Sequence, residues 1–200
     1  MDVWGITGII GSGKSTAVEL LGAMSFPCLD ADQVSRIVVD KNTEEGKLGF
    51  EKVYRAFGNE VLNNIGDLDR RKLRMIMMTN PEERRRLEEI LHPLILAYIE
   101  KTVNEWGSQG HELGFVEGTR LVESGFHRKL KGLLVVTAED SKIISRVVKR
   151  DSMGRDEVKL MVELQNQTAM LREAQFEIPN NGTKKQLEKR LEAFVTTQGF

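Results

Sequence analysis

Gly8-Ile9-Ile10-Gly11-Ser12-Gly13-Lys14-Ser15 is a complete G-x-x-x-x-G-K-[ST] stretch, and its flanks decide the fold. Before it, Val3-Trp4-Gly5-Ile6-Thr7 is an apolar run of strand length. After it, Thr16 to Met24 carries the apolar spacing of a helix. Strand, glycine loop and helix in that order form the context in which the motif wraps phosphate. The glycines let the backbone curl until several N–H groups point at one phosphate chain, and the helix N-terminus adds its positive dipole end. Gly11, Ser12, Gly13, Lys14, Ser15 and Thr16 are the expected triphosphate-binding residues. Lys14 is expected to reach the β- and γ-phosphates, and the Ser15 hydroxyl to ligate Mg²⁺.

Away from the loop, strand-like and helix-like patterns alternate, which predicts a parallel sheet with helices on both faces. Phe26 to Leu29 reads as a second short strand ending at Asp30, and Ala31 to Val39 as a helix. Residues 44 to 79 have helical spacing with a break near Gly66-Asp67. Asn80-Pro81 opens a helix that runs towards Trp106, with a kink expected at Pro93. Gly114 to Glu117 is a third strand. Gly132 to Thr137 is a fourth, continuously apolar and so expected in the centre. Residues 139 to 151 and 155 to 174 read as two helices around Gly154. Phe176 to Ile178 forms a last strand, and Thr183-Lys-Lys-Gln186 a capping box for a final helix to about Val195. The helical stretch between the second and third strands exceeds what one crossover requires, so it reads as an inserted lobe. The fold class is therefore α/β, a three-layer fold around a parallel sheet, with an inserted helical lobe for a phosphoryl acceptor at about 60–106 and a lid at about 139–155.

The chain has 200 residues, 40% of them hydrophobic, which supports one α/β domain with an insertion. A net charge of −1 argues against a nucleic-acid-binding domain. A single cysteine, Cys28, excludes an internal disulfide framework and fits a reducing compartment. No apolar run is long enough for a bilayer, and a strand at the N-terminus leaves no room for a signal peptide. The expectation is a cytoplasmic protein with no membrane contact and no obligate protein partner.

Ligands of an open parallel sheet bind at the carboxyl ends of its strands, and two acidic positions lie there. Asp30 and Asp32 follow the second strand. A kinase for an alcohol needs a carboxylate to orient or deprotonate the attacking hydroxyl. Asp30 reads first as a helix cap and Asp32 as the chemical group. Glu117 ends the third strand, where a carboxylate holds Mg²⁺ directly or through water. Glu123 lies further along the same loop. Arg146, Lys149, Arg150 and Arg155 surround the turn after the fourth strand, where a closing lid brings arginines to the transferring phosphate. Arg150 is the first expectation there and Arg146 the second, against a surface ion-pair role for each. The arginine runs at 70–74 and 84–86 read as solvated helix faces. His92, in an apolar run before Pro93, reads as structural, and no His or Cys spacing suggests zinc.

These residues together resemble the dephospho-CoA kinase family over nearly the whole chain. The likeness begins with Gly5-Ile-Thr-Gly8-Ile-Ile-Gly11-Ser-Gly-Lys-Ser-Thr16 and continues with Leu29-Asp30-Ala31-Asp32 and Val38-Val39. Phe57-Gly58, Leu68-Asp69-Arg70, Leu73, Leu87-Glu88 and His92-Pro93 follow in order, then Leu121-Val122-Glu123, Val135-Val136, Arg146, Arg150, Ala174 and Asn180-Asn181-Gly182. The resemblance implies transfer of the γ-phosphate of ATP, with Mg²⁺, to the ribose 3′-hydroxyl of dephospho-CoA. It implies Asp32 beside that hydroxyl, with Lys14 and Arg150 also catalytic. Asp30 and His92 would lie with the acceptor, and Arg146 and Asn180 with ATP, Asn180 near the adenine. Ser15 and Glu117 would hold the metal. Where the family has Asp-x-Pro-Leu-Leu-x-Glu, this chain has Glu117-Gly-Thr-Arg-Leu-Val-Glu123. Gln175 stands where the family has an acid after Ala174.

Two other readings follow from the loop alone. One is a kinase for another nucleoside- or nucleotide-like alcohol, which an acceptor panel separates. The other is a non-catalytic nucleotide switch, which would need an Asn-Lys-x-Asp base reader that the chain lacks. ATP preference over GTP discriminates it.

Overall fold

A computed structural model describes all residues, Met1–Phe200. The chain forms two compact units, one of Met1–Leu29 with Trp106–Phe200 and one of Asp30–Glu105. The first holds most of a parallel five-stranded sheet. Its strands are β1 (Asp2–Thr7), β2 (Cys28–Asp30), β3 (Leu113–Glu117), β4 (Gly132–Thr137) and β5 (Phe176–Pro179), in the order β2-β3-β1-β4-β5. Parallel pairing sets Trp4 opposite Phe115, Ile6 opposite Leu134, and Leu134 opposite Phe176.

Side chains alternate across a strand, so each strand serves two cores. Trp4, Ile6, Phe115, Leu134, Val136 and Ile178 share one core with Ala17, Leu20 and Leu21 of α1 (Lys14–Ala23) and Leu187, Leu191 and Phe194 of α9 (Lys184–Thr197). Phe194 meets Trp4 edge-on at 5.0 Å and Phe176 at 5.0 Å. The Trp4 ring lies so close to Gly132 that any Cβ there would overlap it, which makes glycine the start of β4. On the opposite face Gly5 abuts Leu121, Leu130 and Leu133, and Met170 of α8 (Gln167–Glu173) reaches Thr7. Helices and loops thus cover both faces, as expected of three layers. β4 is buried along its whole length. It is an interior strand, while β1 takes the middle place between β3 and β4.

The expected helix at 155–174 is two helices, α7 (Arg155–Glu163) and α8. Apolar spacing continues across the break, but Asn166 accepts a hydrogen bond from Ala169 N at 2.9 Å and starts α8 afresh. Before them comes α6 (Asp140–Asp151). The capping box forms as expected: Thr183 Oγ1 accepts from Gln186 N at 3.3 Å, and Gln186 Oε1 from Thr183 N at 2.8 Å.

The second unit is helical. It holds α2 (Ala31–Ile37), α3 (Glu44–Phe57), α4 (Arg70–Thr79) and most of α5 (Pro81–Ser108). This unit is wider than the 60–106 stretch expected from the sequence. Val53, Val61 and Leu87 form its buried centre, with Phe57, Leu73 and Leu91 packed around them. The expected break near Gly66 is a short loop in which Asn63 Oδ1 accepts from Ile65 N at 3.0 Å and Asp67 N at 2.9 Å. Helix α5 continues through Pro93.

Candidate active site

Three backbone turns shape the phosphate loop. Gly8, Gly11 and Gly13 have φ of 153°, 73° and 105°. At Gly8 a Cβ would overlap the Val136 carbonyl oxygen, and at Gly13 it would overlap the Asn180 amide. An alanine at either position meets both backbone strain and a collision. Ser12 N donates to Ile9 O at 3.2 Å and closes the inner turn. Gly13 is the N-cap of α1 and supplies no capping side chain, and the first turn of α1 contains no acid. The first N–H groups of a helix have no intrahelical partner, so this end of α1 presents donors and a positive dipole end to an anion. Ser15 and Thr16 lie in that first turn, with Ser15 exposed.

Lys14 is 7% exposed. Its ammonium donates to Gly8 O at 2.7 Å and Ile9 O at 3.3 Å, so the side chain folds back along the loop. A buried ammonium is tolerable only with such acceptors.

The back of the loop is held by residues far away in sequence. Arg146 of α6 donates through Nη1 to Gly11 O at 3.2 Å and Ser12 O at 3.3 Å, and through Nη2 to Asn180 O at 2.7 Å. Asn180, itself buried, donates from Nδ2 to Ser12 O at 2.8 Å and from its backbone N to Thr137 O at 2.6 Å. Arg146 and Asn180 are thus both at the loop, bound to its carbonyls. This leaves the N–H groups on the other side of the peptides directed away from these braces. Ile143 and Val147 of α6 crowd Gly11.

Arg150 is placed differently. Its Nε and Nη2 donate to the two carboxylate oxygens of Asp151, each at 2.7 Å. The hydrogen bond raises the arginine pKa and holds the aspartate below its ordinary range. Of the two arginines, Arg146 engages the loop, whereas Arg150 engages its chain neighbour on an exposed surface.

Glu117 is the last residue of β3, half-buried and in register with Ile6. Burial, then the negative charge of Glu117, pushes the Cys28 thiol up to about 12. That coupling places the carboxylate near Cys28 at the start of β2, and the raised value keeps the only cysteine protonated and poorly nucleophilic. Thr119, Arg120 and Glu123 follow on an exposed turn. Gln175, the other departure, continues the sheet. Its Oε1 accepts from Leu133 N at 2.6 Å and its Nε2 donates to Glu173 O at 3.1 Å, a pair of roles that a carboxylate cannot fill.

In the helical unit, Asp30 Oδ1 accepts from Asp32 N at 2.8 Å and Gln33 N at 3.0 Å, so Asp30 is the N-cap of α2. Asp32 stands exposed in the first turn of α2. His92 is half-buried on α5.

One contact had no sequence signal. Ile10 N, inside the loop, donates to Gln165 Oε1 at 2.8 Å across 155 positions of chain. Neither spacing nor composition connects these residues.

A five-stranded parallel sheet flanked by helices, with a braced glycine loop and an uncapped helix behind it, defines the class of phosphate-loop kinases. The dephospho-CoA kinase family model matches residues 3–186. The dephospho-CoA kinase of Staphylococcus saprophyticus is 32% identical over 199 residues, covering 99% of this chain and 94% of that protein. A dephospho-CoA kinase structure from Campylobacter jejuni is 25% identical with a TM-score of 0.68, covering 97% of this chain and 95% of that one. The structure of TT1252 from Thermus thermophilus is 29% identical with a TM-score of 0.82, covering 98% and 97%. The chain belongs to the dephospho-CoA kinase family, and it is a kinase of the last step of coenzyme A synthesis.

Proposed function

We propose that the chain carries the γ-phosphoryl group of ATP to the ribose 3′-hydroxyl of dephospho-CoA with the following division of labour. The observation that carries the reading is the loop itself, whose carbonyls are tied back by Arg146 and Asn180 while α1 presents an uncapped N-terminus. Gly11, Gly13, Ser15 and Thr16 donate backbone N–H groups to the triphosphate. Lys14 exchanges its carbonyl partners for the β- and γ-phosphates and stabilises the charge of transfer. Arg146 and Asn180 keep the loop preorganised, so little reorganisation accompanies the reaction. Asp32 accepts the proton of the 3′-hydroxyl as it attacks, with Asp30 fixing the start of α2. The helical unit binds the acceptor, His92 included. The segment 139–155 covers ATP, with Arg150 released from Asp151 towards phosphate.

The chain contains no group of three or more His, Cys, Asp and Glu suited to a metal ion. Mg²⁺ takes one or two protein oxygen ligands and completes its shell with phosphate oxygens and water, a demand that a serine hydroxyl and one carboxylate suit. Ser15 and Glu117 are the residues that would hold it. Held there, the ion would supply positive charge that offsets the phosphate charge during transfer. No helix is long and apolar enough to cross a membrane, and a single unpaired cysteine fits a reducing, cytoplasmic setting.

The test is ATP turnover with and without dephospho-CoA, the product being identified by mass. Formation of CoA with ADP in equal amount is expected. ATP hydrolysis that is indifferent to dephospho-CoA, or faster transfer to another nucleotide-like alcohol in the same panel, overturns the reading.

A further inference from the structure

The Ile9–Ile10 peptide unit sits inside the phosphate loop and is held at both ends. Its N–H donates to Gln165 Oε1 at 2.8 Å. Its carbonyl, on the opposite side of a planar trans peptide, accepts from Ser12 N at 3.2 Å and from the Lys14 ammonium at 3.3 Å. Whatever fixes the N–H direction therefore fixes where the carbonyl aims. Gln165 lies between α7 and α8, and its own amide is anchored because Nε2 donates to Met161 O at 3.3 Å. The Ile10 side chain packs with Ile144, Val147 and Val158 of α6 and α7, so the same residue is gripped through both backbone and side chain.

We propose that Gln165 is a positioning residue for phosphoryl transfer, acting on Lys14 through the Ile9–Ile10 peptide plane. With Gln165 in place, the Ile9 carbonyl faces Lys14 and Ser12, and the loop keeps one conformation as the lysine moves between carbonyl and phosphate. Without it, the N–H end of the peptide loses its anchor and the carbonyl is held only by Ser12 N and the lysine itself, so its aim shifts when the lysine leaves for phosphate. Gln165 also links the α7–α8 turn to the loop, so a shift of α7 is felt at Lys14. The inference rests on ATP binding at this loop.

The experiment compares the wild type with Gln165→Met, which keeps length but removes both polar contacts, in Lys14 and Lys14→Ala backgrounds. In the Lys14 background, kcat/KM for ATP is expected to fall roughly three- to tenfold, the effect of one neutral hydrogen bond, while KM for dephospho-CoA stays within about twofold. In the Lys14→Ala background the same substitution is expected to cost almost nothing further, because residues that act through one another are not additive. Additive losses in the double variant, or equal changes in both substrates' KM accompanied by a lowered Tm, would show a merely structural role and overturn the proposal. Hydrogen exchange of the wild-type Ile10 amide serves whether or not the variant folds. Slow exchange is expected, and exchange at the rate of an open loop amide overturns it. Wild-type conversion of dephospho-CoA to CoA in the same assays checks the underlying activity separately.

Discussion

In the helical unit every α-helix begins on a capping side chain at its own start: Asp30 for α2, Thr43 for α3, Asp69 for α4 and Asn80 for α5. In the sheet unit, α1, α6 and α7 have no such cap. The start of α6 is satisfied from a distance, by Asn181 Oδ1 on Glu139 N at 2.8 Å. The start of α1 has no capping side chain, and the loop before it is braced by Arg146, Gln165 and Asn180. The four helices of the helical unit satisfy their ends locally, whereas α1, whose end is the proposed binding site, is held through the loop before it. The cost is that the loop depends on contacts spread over the chain.

The largest effects should come from the chemistry each unit contributes. Asp32→Asn removes the proposed base from the helical unit, and turnover is expected to fall by about 10²–10⁴-fold with ATP affinity nearly unchanged. Lys14→Ala, in the sheet unit, is expected to lower kcat/KM by about 10²–10³-fold with the fold intact by circular dichroism. Near-normal turnover in either variant would break the assignment for that unit.

The two arginines of α6 test whether bracing matters more than proximity. Arg146→Ala deletes three charge-assisted bonds to loop and Asn180 carbonyls, and a rise of roughly ten- to a hundredfold in ATP KM is expected. Arg150→Ala loses only its exposed pair with Asp151 in this structure. It should leave Tm in place and act on kcat alone, if closure brings it to phosphate. Isothermal titration with ATP and steady-state kinetics separate the two. An Arg146→Ala protein with wild-type ATP affinity would show that the loop holds its shape without the brace.

A local cap should behave oppositely. Asn80→Ala removes bonds to Glu82 N at 3.0 Å and Glu83 N at 3.2 Å, and is expected to cost about 1 kcal/mol of stability by denaturant midpoint. ATP KM should not change. A matching loss of ATP affinity would mean that the helical unit's ends also shape the phosphate loop.

The smallest effect concerns Cys28. Its thiol is raised from 9.0 to about 12 in the folded protein, so between those values the folded state holds a proton that the unfolded state has lost. The unfolded state then binds fewer protons, and stability falls as pH rises through that window. The thiol's contribution is present in full below the unfolded value. Cys28→Ala should therefore lose less stability than wild type between pH 8 and pH 10. An identical loss would place the thiol in contact with solvent.

Much of this protein is legible without coordinates where the signal is short-range. The phosphate loop, the boundaries of β4, the capping box at Thr183 and the cap at Asn80 each rest on residues within a few positions of one another. Their outcome is fixed by backbone sterics and local hydrogen bonds. The role of Asp30 as a cap followed from the same logic. The break between α7 and α8 was missed because apolar spacing runs through it.

Amino-acid order alone determined that the chain would build a phosphate-binding loop between a strand and a helix, since glycines at φ values closed to other residues, a lysine and a serine suffice at that spacing. It also determined that Asp30 and Asn80 would cap α2 and α5, while the caps at Thr43 and Asp69 emerged with the structure. Tertiary structure alone decided that Arg146, rather than Arg150, grips the loop, that Asn180 faces the Ser12 carbonyl, and that Gln165 takes the Ile10 N–H. Those three partners lie 134, 168 and 155 positions from the atoms they hold. They meet because parallel strands β1, β4 and β5 end side by side, which brings the phosphate loop after β1, α6 after β4 and Asn180 after β5 to one edge with the α7–α8 turn against it, a proximity that no local pattern encodes.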